Sequence, residues 1–181
     1  MNLSTDTQKL TQISGEEDIE GGKKIAMEAC IIGIGNELRG DDAIGLEIVR
    51  HLRCQSMGMT MIEFTESFFD LSVMLSQYDP VFIIDALPPA GQPGRTEIRR
   101  YFSYVEMKRN DYSLHDLELF WSIQYAYRRG FMGKVNLIGV ESYDLSLGIG
   151  LSLTLGNQIP YLVDKVKTFI MKEIEQNISC E

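Results

Sequence analysis

The sequence has few cysteines, few cations and no long apolar run, and each shortage excludes a class of protein. The three cysteines, Cys30, Cys54 and Cys180, are scattered without the spacing of a metal site. No apolar run approaches the ~20 residues that cross a bilayer, so we expect no membrane contact. Lys and Arg number 17 against 26 Asp and Glu, a net charge of −9. Nucleic acid is therefore excluded as an electrostatic partner.

The remaining composition is that of a folded protein of ordinary size. The chain has 181 residues, of which 44% are hydrophobic and 24% charged, enough to bury a sizeable core. Residues 1–24 are polar, with an acidic cluster followed by Gly21 and Gly22. We predict that they form a flexible N-terminal extension and that residues 25–181 form a single α/β domain. The N-terminus also lacks the apolar core of a signal peptide, which favours a cytoplasmic location.

Short apolar runs alternate with amphipathic segments along the chain. This alternation predicts a mostly parallel, twisted sheet with helices on both faces. The charged and β-prone segment 95–101 is predicted to be an antiparallel edge strand. The predicted strands cover 25–34, 59–64, 80–87, 95–101 and 135–140. The predicted helices begin at 41, 70, 113 and 157. Leu117, Trp121 and Tyr125 are predicted to share one face of the third helix.

The first strand ends in a glycine-rich turn, Gly33 to Gly45, which invites a phosphate-binding interpretation. The dinucleotide fingerprint needs a glycine where Leu38 stands, and the phosphate-loop motif needs a lysine where Asp41 stands. Two adjacent carboxylates, Asp41 and Asp42, would repel phosphate. The turn therefore suits a cation, or no ion at all. On the second alternative Asp41 caps the next helix and Asp42 favours its positive end.

Three polar residues are predicted to meet at one edge of the sheet. Asp42 follows the first strand, Asp85 closes the strand 80–87, and His115 opens the third helix. The carboxyl ends of parallel strands share that edge. Two carboxylates and a neutral imidazole are suitable ligands for a divalent cation and leave positions open for substrate. Alternatively, Asp85 accepts hydrogen bonds from backbone amides of the following loop, and His115 caps its helix or packs in the core.

In these residues the chain resembles the hydrogenase maturation endopeptidases. The strongest part is the turn Gly33–Gly45, which is similar to the family signature of two glycines, an asparagine and an acidic pair. Asp85 stands in the apolar-Asp-Ala context of the family, and His115 stands in a similar Ser-x-His-x-Leu setting. Residues 135–141 resemble a later strand of the family. One departure is the segment 64–70, where the family has a Gly-Gly-Thr turn.

The resemblance implies a fold, an activity and a site. The fold would be a three-layer, phosphorylase/hydrolase-like α/β sandwich. The activity would be that of a nickel-dependent, aspartic-type endopeptidase that removes a C-terminal extension from the large-subunit precursor of a nickel-iron hydrogenase. Nickel would arrive with the precursor and be bound by Asp42, Asp85 and His115, which leaves Asp41 as the helix cap. The altered segment 64–70 keeps an alternative open, a non-catalytic nickel-sensing or chaperone-like binding protein on the same scaffold.

Overall fold

The computed structural model describes residues 28–55, 57–65, 68–101 and 114–178. The strands are β1 (Cys30–Ile34), β2 (Thr60–Phe64), β3 (Val81–Leu87), β4 (Thr96–Tyr101) and β5 (Val135–Glu141). The helices are α1 (Ile44–Arg53), α2 (Phe68–Leu75), α3 (Leu114–Arg128), the single-turn α4 (Leu153–Gly156) and α5 (Ile159–Ile178). The predicted flexible extension, residues 1–24, lies outside the described residues.

The five strands form one sheet in the order β2-β1-β3-β5-β4. The first four in this order pair in parallel, and β4 pairs with β5 in antiparallel register, with Thr96 opposite Val140 and Tyr101 opposite Val135. The predicted α/β fold with one antiparallel edge strand is therefore confirmed. Because β1 and β3 are neighbours, their carboxyl ends lie side by side, and this edge is called the carboxyl rim below.

The sheet is buried on both faces because its central strands are continuously apolar. Alternate residues enter two separate cores. Phe82 and Ile84 pack on one side with helices α1 and α5, whereas Val81 and Ile83 pack on the other with α2 and α3. The apolar residues of α1 are buried, and Cys30 is a core residue, where burial raises the pKa of its thiol to about 12. The chain is thus a three-layer α/β/α sandwich.

The predicted face of α3 was wrong. Trp121 and Tyr125 are 51% and 43% exposed, whereas Leu119, Ile123 and Ala126 are buried. The helix carries apolar residues around much of its circumference, so spacing alone does not select the buried side. Among the residues that the structure describes, none of the helices is both long and apolar enough to span a membrane.

Candidate active site

β1 runs directly into the turn that carries Asp42. After Ile34 the chain passes through a 3₁₀ turn, Gly40–Ala43, into α1. A Cβ atom on Gly35 would lie 2.1 Å from the carbonyl oxygen of Asp42, so only glycine allows the two backbones to approach this closely. The backbone of Asp42 is therefore held against the end of β1, and its side chain is half-buried.

A second close approach places this turn over two strands at once. A Cβ atom on Gly45 would lie 2.3 Å from the carbonyl oxygens of both Ile34 and Ile84. These two residues stand near the carboxyl ends of β1 and β3. The first turn of α1 therefore sits directly on the carboxyl rim, three residues after Asp42.

Asp85 occupies the carboxyl rim from the neighbouring strand. It directly follows Ile84, which pairs with Gly33 of β1. Because Asp85 alternates with Val81 and Ile83 along β3, it belongs to the face of the sheet that α2 and α3 cover. Its side chain is 3% exposed, and the backbone N–H of Ala86 donates to its Oδ1 at 2.8 Å. This bond is an instance of the amide-satisfying role that the sequence left open for Asp85.

A shallow cleft lies beside Asp85 on the same face of the sheet and reaches the edge strand β4. It is partly open to solvent, and its lining is mostly apolar. Together with Asp85 it is lined by Leu87, Glu97, Arg99, Leu137 and Gly139.

The first turn of α3 places the backbone of His115 towards the carboxyl rim. At the other end of this helix, the Tyr127 hydroxyl donates to the carbonyl oxygen of Tyr101 at 2.7 Å, and Tyr101 pairs with Val135 at the amino end of β5. The 15 residues of α3, Leu114–Arg128, span roughly 22 Å at 1.5 Å per residue. The helix therefore begins at the opposite end of the sheet from Tyr127.

The structure thus places the backbone of Asp42 against Gly35, directly after β1, and Asp85 near the end of the neighbouring strand β3. The backbone of His115 lies at the start of a helix directed from the same rim. The side chain of His115 lies outside the described part of the chain. Among the described side chains, no group of three His, Cys, Asp or Glu residues is arranged to hold a metal ion. The three-residue metal site therefore stays a prediction.

Asp41 does not cap the helix, contrary to the prediction. The residue that precedes α1 is Ala43, and neither α1 nor the 3₁₀ turn has a side-chain cap. Asp41 is instead fully buried, and its carboxylate accepts hydrogen bonds from the backbone N–H groups of Tyr143, Asp144 and Ser152 and from the Ser152 hydroxyl, at 2.7–2.9 Å. The 3₁₀ turn displaced the expected α-helical start, which moved Asp41 away from the capping position.

These bonds fasten a second loop to the glycine turn. The backbone N–H groups of Gly40 and Asp41 donate in return to the carbonyl oxygens of Gly148 and Asp144, at 3.0 and 2.9 Å. The N–H of Gly148 also donates to the carbonyl oxygen of Leu38 at 3.0 Å. The segment 143–152, called the rim loop below, therefore lies alongside the turn that carries Asp42.

The other side of the glycine turn is held by charge. Arg50 of α1 bonds Glu37 in the turn, Glu47 on its own helix and Glu63 on β2. The hydrogen bond to Glu37, followed by the one to Glu63, raises the pKa of the Arg50 guanidinium above its usual range. Each ion pair is partly exposed, so each contributes little to stability alone. Together they connect the glycine turn, helix α1 and strand β2.

Solved structures of endopeptidases share this architecture. An endopeptidase from Escherichia coli, determined in solution, superposes with a TM-score of 0.63 at 27% sequence identity, covering 77% of this chain and 90% of that one. The hydrogenase maturating endopeptidase HybD from E. coli gives 0.61 at 23% identity, covering 81% and 94%. The hydrogenase maturation protease HycI from Thermococcus kodakarensis KOD1 gives 0.63 at 21% identity, covering 79% and 92%.

The chain has the fold of the hydrogenase maturation endopeptidases. This likeness in fold agrees with the family resemblance seen in the sequence. No family model and no curated protein matches the chain. The structural likeness is therefore the comparison that supports the resemblance, and it extends over about four fifths of the chain.

One further carboxylate near the rim was not predicted to have a role. Glu141 at the end of β5 is fully buried, and its Oε1 accepts from the N–H groups of Ala90 and Gln92 at 2.7 and 2.6 Å. Its Oε2 accepts from Nε of Arg95 at 2.8 Å. The Arg95 guanidinium, together with the two amides, lowers the pKa of Glu141. The sequence did carry a signal for this role, because Glu141, like Asp85, is an acidic residue that follows a run of buried strand residues.

We expect Glu141→Gln to destabilise the protein at neutral pH and to have less effect in acid. A carboxyl group whose pKa is lower in the folded state stabilises the fold above its unfolded-state pKa, about 4.5, and loses that contribution as the pH falls through the folded-state value. Urea unfolding of both proteins at pH 7 and below pH 4 checks this, because the difference in midpoint should shrink in acid. Glu97→Gln is the control, since Glu97 is a half-buried partner of the same Arg95, whereas Glu141 is fully buried. A difference independent of pH would contradict the expectation.

Proposed function

We propose that this protein is a hydrogenase maturation endopeptidase that removes a C-terminal extension from the nickel-loaded large-subunit precursor of a nickel-iron hydrogenase. The observation that supports the proposal is that Asp85 lies near the carboxyl end of β3 while the backbone of Asp42 approaches Gly35, directly after the neighbouring strand β1. This pair stands in a fold shared with hydrogenase maturation endopeptidases. A pair of carboxylates at the carboxyl ends of parallel strands is the expected location of a site in such a sheet.

The chemistry of the proposed residues suits nickel brought by the substrate. Carboxylate oxygens and a neutral imidazole nitrogen are acceptable ligands for a divalent first-row metal. His115 stands in the first turn of α3, and a neutral imidazole is the form that binds metal. Three ligands leave coordination positions for groups of the precursor. Asp42, Asp85 and His115 would therefore recognise a metal that the precursor already holds.

The proposed reaction is hydrolysis of one peptide bond, in which a water molecule adds across the C–N bond to give a carboxylate and an amine. Binding of the precursor's metal at the rim would orient its C-terminal segment. That segment would enter the cleft beside Asp85, where Leu87 and Leu137 offer apolar contact and Arg99 also lines the cleft. The metal supplies Lewis-acid chemistry when bound, and the protein supplies binding and orientation.

The proposal is tested by incubating the protein with its cognate precursor in nickel-loaded and nickel-free forms. We expect the mass of the large subunit to fall by one C-terminal fragment in the nickel-loaded sample, and the nickel-free sample to stay intact. Intact-protein mass spectrometry measures both. Equal trimming without nickel, or no trimming of either form, would contradict the proposal. A stable nickel-dependent complex without cleavage would support the non-catalytic binding protein instead.

A further inference from the structure

Asp41 makes an unusual set of contacts for a residue next to a proposed metal ligand. It is fully buried and accepts four hydrogen bonds, three from backbone N–H groups and one from a hydroxyl. All four donors belong to the rim loop, more than 100 residues away in the sequence. A carboxylate accepts such a set because it has two oxygens and no donor, whereas asparagine would turn an NH₂ group towards one of the donors.

The rim loop is held mainly by hydrogen bonds. Tyr143, Leu147 and Ile149 are 58%, 86% and 89% exposed, and Leu151 packs against the edge of the core. Between Tyr143 and Ile149 the position of the loop therefore depends on hydrogen bonds, of which bonds to a carboxylate are the strongest. The carboxylate of Asp41 is the centre of that set.

The turn that carries Asp42 depends on the same loop. The N–H groups of Gly40 and Asp41 donate to carbonyl oxygens of the rim loop, and these two residues immediately precede Asp42. If the rim loop separates from the turn, the turn loses both bonds. Position 42 would then be held on this side by the bond from its own N–H to the carbonyl oxygen of Arg39, at 3.1 Å.

We propose that Asp41 is a positioning residue that fixes Asp42 at the carboxyl rim by clamping the rim loop onto the glycine turn. The inference rests on the proposed function, because it assigns Asp42 to the binding of the precursor's metal. The two adjacent aspartates have different tasks. Asp42 is half-buried beside the rim and faces the substrate's cation, and Asp41 faces inward and holds the turn.

A double-mutant cycle between the two aspartates distinguishes positioning from general stabilisation. We expect Asp41→Asn to lower kcat/KM for nickel-loaded precursor about tenfold, and Asp42→Asn about a hundredfold. In the double variant the loss should equal that of Asp42→Asn alone, within about twofold, because a clamp that acts only through Asp42 has nothing left to position. A role in stability alone would give additive losses, about a thousandfold in the double variant.

Three matched measurements complete the test. Hydrogen exchange at the amides of Tyr143, Asp144 and Ser152 should accelerate at least about tenfold in Asp41→Asn. Asp164→Asn removes an exposed carboxylate from helix α5, outside the rim loop, and should leave kcat/KM unchanged. If the Asp41→Asn protein does not fold, Ser152→Ala replaces it, because this change removes one of the four hydrogen bonds to Asp41. The double-mutant cycle is then made between Ser152→Ala and Asp42→Asn.

The outcomes separate this inference from the proposed function. If the wild-type protein does not trim nickel-loaded precursor, the proposed function fails and the inference fails with it. If the wild-type protein trims but the losses are additive, or exchange at the three amides is unchanged, Asp41 is not a positioning residue and the proposed function stands. Non-additive losses with accelerated exchange support both.

Discussion

Replacing His115 with alanine is expected to abolish nickel-dependent trimming while the fold stays intact. An imidazole is one of three proposed ligands, and its removal should lower the rate by at least about a hundredfold, since even changes one shell further out cost 10–100-fold. The residue lies in the first turn of α3, where substitution has little influence on a packed core. Single-turnover assays with nickel-loaded precursor, together with thermal unfolding, measure the two effects.

The chain contains its own control for this experiment. His51 is the only other histidine in the sequence. It lies exposed on α1, with its Nδ1 2.8 Å from the carbonyl oxygen of Glu47. We expect the His51→Ala protein to trim the precursor at the wild-type rate. Its unfolding temperature should lie within a few degrees of the wild-type value. If His115→Ala retains activity, or if it unfolds at a much lower temperature, then His115 has a structural role and the site needs another ligand.

Replacing Gly45 with alanine is expected to destabilise the fold strongly. The new Cβ would lie 2.3 Å from each of two carbonyl oxygens, on Ile34 and Ile84. Neither oxygen can retreat, because both belong to buried central strands. Helix α1 would have to lift from the sheet, and we expect a loss of about 3–5 kcal/mol, beyond the 1–3 kcal/mol of ordinary overpacking.

Urea unfolding of Gly45→Ala and Gly156→Ala measures this loss against a matched control. Gly156 lies in α4, and a Cβ there would meet nothing within 4 Å. Alanine should be neutral there or stabilising by up to about 1 kcal/mol, because it restricts the unfolded chain. Because α1 follows the turn that carries Asp42, the Gly45 variant should also lose trimming activity. A Gly45→Ala protein as stable as the wild type would mean that α1 does not lie as close to β1 and β3 as described.

The strands and the position of Asp85 could be predicted because their signals are local. The continuous apolar run from Val81 to Ile84 predicts a strand covered on both faces, and its end predicts where Asp85 lies. The charged segment 95–101 likewise predicts an edge strand. In each case the pattern of consecutive residues determines the structure, with no knowledge of distant partners.

The role of Asp41 could not be predicted because its partners are distant. Tyr143 and Ser152 are separated from it by 102 and 111 residues, and helix-capping preferences describe only neighbouring residues. The prediction of the buried face of α3 failed for a related reason. The helix has several apolar sides, and its packing against the sheet and α2 selects which one is buried. The role of His115 stays a prediction that rests on the motif and on the direction of α3.

A crystal of the protein soaked with nickel or cadmium tests the central claim most directly, that Asp42, Asp85 and His115 form one metal-recognition site at the carboxyl rim. Anomalous scattering locates the ion without reference to the protein atoms. We expect one site, bonded by a carboxylate oxygen from each aspartate and a ring nitrogen of His115, with the remaining positions open to solvent. An ion bound elsewhere, or bound at the rim without any one of these three residues, would contradict the claim.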